Sequence, residues 1–412
     1  MVSEDTAPPG SAGDSEIPEL ASATASDDPG FAAVLRYFLR LGTLGFGGPI
    51  AVVGYMQRDL VEKRGWIAKQ EFLNGVALGQ TMPGPLAAQV AMWVGYLRRG
   101  ALGAAATALA FIAPSFLMVT TVAAVYAHYS GLSAVQALFY GIAPAVMAII
   151  AIAAYKLVRL TDGKDWRAWA ISAVVFSVTA LTGREPIYLI IGAGLLMIAL
   201  DARPRLRLPR RHTSYPGKGT SAYGIAAAPL ASTTLGTLAS GGTLVSLGLF
   251  FLKTGALVFG SGLAIVPLLR DGVVSQHHWL TQAQFLDAVA MGLITPGPVV
   301  ITAAFIGYLV GGATGALIAA AAIFIPIYLG VVVPGRWFIR HRDNPQLKAF
   351  VTGATAAAGG ALCGAVVVLT RQAVIDLPTA VIALVTLALL WRLKIPEPYV
   401  VGMAGSLGLL LH

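Results

Sequence analysis

The chain has 412 residues, of which 57% are hydrophobic and only 11% charged, where soluble domains carry roughly 25% charged residues. That balance excludes a water-soluble enzyme or binding module. The 28 Lys and Arg against 19 Asp and Glu fall between apolar blocks rather than on a polar face, which excludes a nucleic-acid binder, and the single cysteine, Cys363, excludes disulfide frameworks and Cys-based metal sites.

Taken in chain order, residues 1–30 hold seven acids, small residues and prolines, with no Lys or Arg before Arg36. Such a stretch buries too little to fold and lacks the basic and apolar regions of a signal peptide, so it reads as a disordered acidic tail. Apolar elements follow at about 33–57, 71–97, 101–127, 132–158, 166–183 and 186–201. After 201 come Arg203, Arg205, Arg207, Arg210 and Arg211 and a Ser, Thr, Gly and Pro-rich stretch, a basic linker over 202–243. Six more apolar elements occupy about 244–269, 284–309, 312–338, 346–370, 374–391 and 396–411. Ala101 to Ala127 carries no charge, and Ala288 to Gly335 runs 48 residues without one. Since about 20 helical residues cross a bilayer, the expected fold is an all-α polytopic membrane protein.

The parts before and after the linker, 31–201 and 244–412, are repeats. Sliding the chain by 213 positions matches residues 38–85 to 251–298 at 18 of 48 places. These include Trp66 with Trp279 and two Pro-Gly-Pro tripeptides, which shared hydrophobicity alone would not bring into one register. Lys and Arg crowd the first, second and fourth loops of the first half and the third loop of the second, and each equivalent loop reverses the bias. Positive loops mark the cytoplasmic side, so the repeats are expected to be inverted, with about five transmembrane helices and one broken re-entrant hairpin each. The hairpin is 71–97, interrupted at Thr81-Met82-Pro83-Gly84-Pro85, and 284–309, interrupted at Thr295-Pro296-Gly297-Pro298, because paired prolines forbid a continuous helix. This count places both termini outside, the N-terminus only if the first element, broken at Gly47-Gly48, crosses instead of turning back.

Two tips at the membrane midplane survive only where protein or water surrounds them. The first element of each half adds a second break, Gly45-Phe46-Gly47-Gly48-Pro49 and Phe259-Gly260-Ser261-Gly262. Unpaired N–H groups at half-helix N-termini favour an anion. Arg40 and Lys253, at equivalent positions upstream of the breaks, could neutralise a dianion or snorkel to the interface. Gln80 and Gln89 flank the first tip and could either donate hydrogen bonds to oxyanion oxygens or make polar helix-packing contacts. Glu71 and Asp287, whose counterparts are Gln284 and Asn74, are the candidates for carrying a proton, the alternative being exposed caps near a helix start. No pattern suits a metal or a cofactor, and no cluster of carboxylates, His or Cys in the apolar core suits an enzyme.

The Phe-Gly-Gly-Pro break at 46–49, the Pro-Gly-Pro tripeptides at 83–85 and 296–298, and two homologous halves over about residues 33–411 resemble the long-chain chromate ion transporters of bacteria. The second half has Phe-Gly-Ser-Gly where the first has Phe-Gly-Gly-Pro. The resemblance implies export of chromate across the inner membrane, driven by the proton-motive force, with sulfate as competitor, the linker cytoplasmic and the lipid bilayer as surroundings. Uptake or exchange of sulfate or another oxyanion is the alternative within the same machinery, and a lipid-handling or structural membrane protein the alternative outside it. A homodimer is left open.

Overall fold

Proline, glycine and capping residues set the boundaries of the helices. In the computed structural model, which describes residues 30–46, 48–129, 131–183, 187–201, 242–259, 262–335, 337–338, 344–393 and 395–411, every regular element is helical. The expected tail, apart from Gly30, and the expected linker, apart from residues 242–243, lie outside the described residues. The first half holds α1 (Phe31–Leu44), α2 (Gly48–Met56, continued by a π-helical Gln57–Lys63), α3 (Lys69–Thr81), α4 (Leu86–Tyr129), α5 (Ser133–Asp162), α6 (Trp166–Thr182) and α7 (Ile187–Asp201). The second half repeats the series as α8 (Thr243–Ala256), α9 (Ile265–Arg270, between a 3₁₀ turn Gly262–Ala264 and a π-helical Asp271–Gln276), α10 (Gln282–Ile294), α11 (Thr302–Val332, after a 3₁₀ turn Val299–Ile301), α12 (Pro345–Ala373), α13 (Leu377–Ala388, continued by a π-helical Leu389–Leu393) and α14 (Glu397–Leu411). Thr281 with Gln284 forms a capping box on α10, Asp376 with Thr379 on α13, and Asn344 caps α12 ahead of Pro345.

The first element of each half departs from expectation. The reading that counts 33–57 as one crossing element is corrected: the chain turns back after Gly45, and the residues that follow α2 return to α1 across a cavity. Arg64 lies 5.5 Å over the Tyr37 ring, and Trp66 meets Tyr37 at 6.4 Å. In the second half Phe250 of α8 meets His277 and Trp279 at 5.8 and 5.7 Å. The break permits the reversal, since the glycines at 45, 47 and 48 supply no side chains to hold a straight helix and Gly48 takes a positive φ of 77°.

The next hairpin follows the Pro-Gly-Pro pattern. Trp93, in the returning arm, donates its indole N–H to the Glu71 carbonyl at 2.9 Å, so the chain comes back to where α3 began. α4 then reverses at Arg99-Gly100, and α11 reverses in nearly the same conformation at Gly311-Gly312. Gly95 packs against the Gly103 backbone, and Gly307 against Gly315, at separations that leave no room for a Cβ. Small residues at such crossings let helix backbones approach closely.

The last helices of the two halves are exchanged. α12 packs on α6 and α7, while α5 packs on α13 and α14. Gly353 lies against the Ala193 carbonyl, and Gly141 against that of Ala404. Each half therefore completes its packing with the long helix of the other.

Contacts sort the chain into two ends. At one, Arg99 lies 4.7 Å over the Phe31 ring, Arg167 pairs with Asp201 at 2.5 Å, Tyr328 donates to the Ala101 carbonyl at 3.0 Å, and Tyr155 meets Trp391 at 5.5 Å. At the other, Arg270 donates to the Gly183 carbonyl at 2.8 Å, Tyr140 donates to Asp376 at 2.5 Å, and Tyr126 meets Phe305 at 5.4 Å. The first end carries Lys63, Arg64, Lys69, Arg98, Arg159, Lys164 and Lys348 and is the basic end. Phe31 stands there too, against the expectation that the chain starts at the opposite face. The first hairpin closes on itself, so the expected crossing is missing and the parity changes.

Candidate functional site

Proline geometry builds the two tips. Each Pro-Gly-Pro stops one helix and starts another, with the glycine at positive φ, 139° at Gly84 and 102° at Gly297, where L side chains are strained. The tips come together at Gly262, the start of the helix that follows the second break. A Cβ placed on Gly262 would lie 3.7 Å from the Pro85 Cβ and 3.8 Å from the Val299 Cβ. Three helix N-termini thus meet in one small region: α4 after Pro85, the turn into α11 after Pro298, and the turn into α9 at Gly262. First-turn N–H groups have no partner inside their own helix, and each terminus carries roughly half a positive charge.

The side chains around the tips serve mostly to brace them. Gln89 is fully buried, and its amide donates to the Pro83 carbonyl at 2.9 Å and the Met82 carbonyl at 3.4 Å. It therefore holds the first tip from behind instead of presenting a donor to a ligand, while Gln80 is exposed. Thr81 and Thr295 each donate their hydroxyl back into their own helix, to Ala77 and Met291. The Gly84 N–H donates to the Val258 carbonyl at 2.7 Å, which locks the first tip to the second break and removes that amide from the anion donors. On the second tip the buried Ser115 hydroxyl donates to the Pro296 carbonyl at 2.6 Å, and Gly297 packs directly on that hydroxyl.

The residues of the breaks are placed unevenly. Phe46 is 38% exposed, and Gly48 opens α2. Gly47, Gly260 and Ser261, together with the Pro49 side chain, lie outside the described residues. Arg40 and Lys253 are both exposed, and each belongs to its own hairpin. Arg40 lines a cavity with Arg36, Arg58, Lys63 and Arg64. Lys253 acts on His277, whose imidazole is held below its ordinary range by burial and then by that charge. The structure does not bring the two cations together.

The two acidic candidates also separate. Glu71 stands exposed in the first turn of α3. Asp287 is 7% exposed inside the hairpin of the second half and accepts a 2.7 Å hydrogen bond from the Tyr126 hydroxyl. Tyr126 and Ser115 were missed by sequence reasoning. The signal for each was a hydroxyl in an uncharged helix where the other half has Phe338 or Ile327, visible only once the repeats are aligned past their one-residue deletion.

Comparison with known proteins places this architecture. A family model described as chromate transporter matches residues 32–198 and 245–409, one match to each half. The probable chromate transport protein of Synechococcus elongatus is 48% identical over 91% of this chain and 94% of its own length. The chromate transport protein of Cupriavidus metallidurans is 48% identical over 92% of both chains, and that of Pseudomonas aeruginosa 27% identical over 91% of both. No solved structure matches the chain.

Proposed function

The chain belongs to the chromate transporter family, a family of transporters and not enzymes, and on that premise we propose that it is a secondary transporter exporting chromate across the bacterial inner membrane. The observation that carries this reading is the meeting of three helix N-termini at Gly262, Pro85 and Val299. A tetrahedral dianion suits such a place, because the donors are backbone amides fixed in direction and the positive potential comes from the helices themselves. Sulfate has the same charge and shape and should compete.

The inverted arrangement of the repeats is supported by the two ends. The start of the second arm of α4 meets the end of α11 at Ala101 and Tyr328, whereas the end of that arm, at Tyr126, meets Phe305 upstream in α11. The helix that closes the first half, α7, ends at Asp201 on the basic end, and positive charge favours the cytoplasm, so the linker begins there. Coupling to protons falls to Asp287, an enclosed carboxyl with one hydroxyl partner, in preference to the exposed Glu71. Export coupled to the proton-motive force would confer chromate resistance on the cell.

The test is chromate uptake into everted membrane vesicles with and without an imposed proton gradient. Export predicts uptake that the gradient accelerates and sulfate slows. Uptake indifferent to the gradient would overturn the coupling, and no uptake above vesicles lacking the protein would overturn the substrate.

A further inference from the structure

Arg36 and Arg40 lie one helical turn apart within α1. Like charges at this spacing repel and weaken an isolated helix. They face a cavity of about 600 Å³ between α1 and the π-helical end of α2, lined also by Arg58, Lys63, Arg64 and one acid, Asp59. Asp59 is shared by Arg58 at 3.3 Å and Lys63 at 4.0 Å. Neither Arg36 nor Arg40 forms an ion pair among the described residues. The cavity therefore carries five cations against one carboxylate.

The guanidinium groups are seated. Arg64 lies 4.6 Å over the Trp66 ring and 5.5 Å over Tyr37, and Arg58 lies 5.5 Å over Tyr55. Aromatic seats of this kind hold the cations in place without consuming their hydrogen-bond donors. The second hairpin offers nothing equivalent: the positions matching the five cations are Leu249, Lys253, Asp271, Gln276 and His277. The concentration of charge thus belongs to one end of the molecule, and the cavity runs along α1 from Ala33 to Leu44, whose end is the first break.

We infer that this cavity is a loading site for tetrahedral dianions at the basic end, where chromate or sulfate is gathered, still hydrated, before it reaches the tips. The volume far exceeds that of one oxyanion, so the site concentrates by charge and does not select by fit. A recess lined by one sign of charge raises the local concentration of the opposite ion, and ionic strength weakens the effect. The inference rests on the transport reading only for its direction; binding of an oxyanion in the cavity stands apart from it. The same chemistry could come from a phosphate headgroup of an anionic lipid, which the experiment separates.

The experiment compares the wild-type protein with the triple variant Arg36→Gln, Arg58→Gln, Lys63→Gln, and with Arg36→Lys, Arg58→Lys as the charge-preserving control. In everted vesicles at low salt, the half-saturation concentration for chromate should rise tenfold or more in the triple variant and stay near wild type in the control. Wild-type half-saturation should also climb steeply with ionic strength, and that dependence should flatten in the triple variant. A second readout needs no transport. Chromate absorbs in the near ultraviolet and quenches tryptophan emission, so detergent-purified protein should show a saturable quench that sulfate reverses and that Trp66→Phe removes in large part. Unchanged half-saturation and unchanged quench in the triple variant would overturn the inference. So would a cavity that vesicles containing phosphatidylglycerol occupy while chromate and sulfate do not. Wild-type protein that quenches saturably but moves no chromate would defeat the transport reading and leave the cavity as an oxyanion site.

Discussion

Gln89 carries two opposing effects within one side chain. Its amide donates to the Pro83 carbonyl, while its Oε1 is buried with no hydrogen-bond partner among the described residues. A hydrogen bond contributes about 1 kcal/mol net, and an orphaned buried acceptor costs about 1–3 kcal/mol. Replacing Gln89 by Leu removes the orphaned acceptor but strips the Pro83 and Met82 carbonyls of their donor, costs of similar size and opposite sign, so thermal stability should change little while chromate transport falls, because the first tip loses its brace. A loss of several degrees in melting temperature with transport retained would reverse that reading. Asp287 is simpler. Asp287→Asn keeps the shape and a partner for the Tyr126 hydroxyl but cannot release a proton, so chromate flux should persist without its acceleration by a proton gradient. Flux that still follows the gradient in this variant would move the proton elsewhere. The tip residues were legible in the sequence because proline and glycine act through the backbone, which sequence states directly. Gln89, Ser115 and Tyr126 act through partners between 6 and 181 positions away, and no local pattern carries that information.

Helices were legible by length and apolarity, and the Pro-Gly-Pro hairpins by their chemistry. The first element was not. Gly45 to Pro49 reads equally as a kink in one crossing helix or as the tip of a hairpin, and what decides between them is Arg64 and Trp66 packing on Tyr37, which lies 27 positions upstream of Arg64. The exchange of α5 and α12 between the halves was likewise hidden, although the glycines that permit it stand in plain view. At Gly141 and Gly353 an added side chain would run into the carbonyls of Ala404 and Ala193. Overpacking of this kind costs about 1–3 kcal/mol and occasionally more. Gly141→Val and Gly353→Val should each lower the unfolding temperature in detergent, the two to similar extents because the contacts are equivalent. A large effect at one and none at the other would deny that the exchange is symmetric.

At the scale of the whole molecule, two hairpins that close on themselves leave α1 starting and α7 ending at the basic end, while α8 begins near the turn at Gly311, at the other. The chain thus leaves the first half at one face and enters the second at the opposite one, which corrects the expectation of a linker lying wholly on the cytoplasmic side, since residues 242–243 stand at the other end. An impermeant thiol reagent on intact cells should label cysteine at Leu411 and at Gly242 but spare cysteine at Gly30; labelling at Gly30 would break the assignment. The central claim is that the anion passes where the two tips meet. It is tested most directly by initial rates of chromate flux in proteoliposomes holding matched amounts of wild-type protein, Gly84→Val or Gly297→Val. A β-branched side chain cannot take the positive φ of either glycine without strain, and at Gly297 it would collide with Ser115. The account predicts saturable, sulfate-inhibited flux for the wild type and a fall of tenfold or more in both variants with membrane insertion intact, whereas wild-type rates in both variants would contradict it.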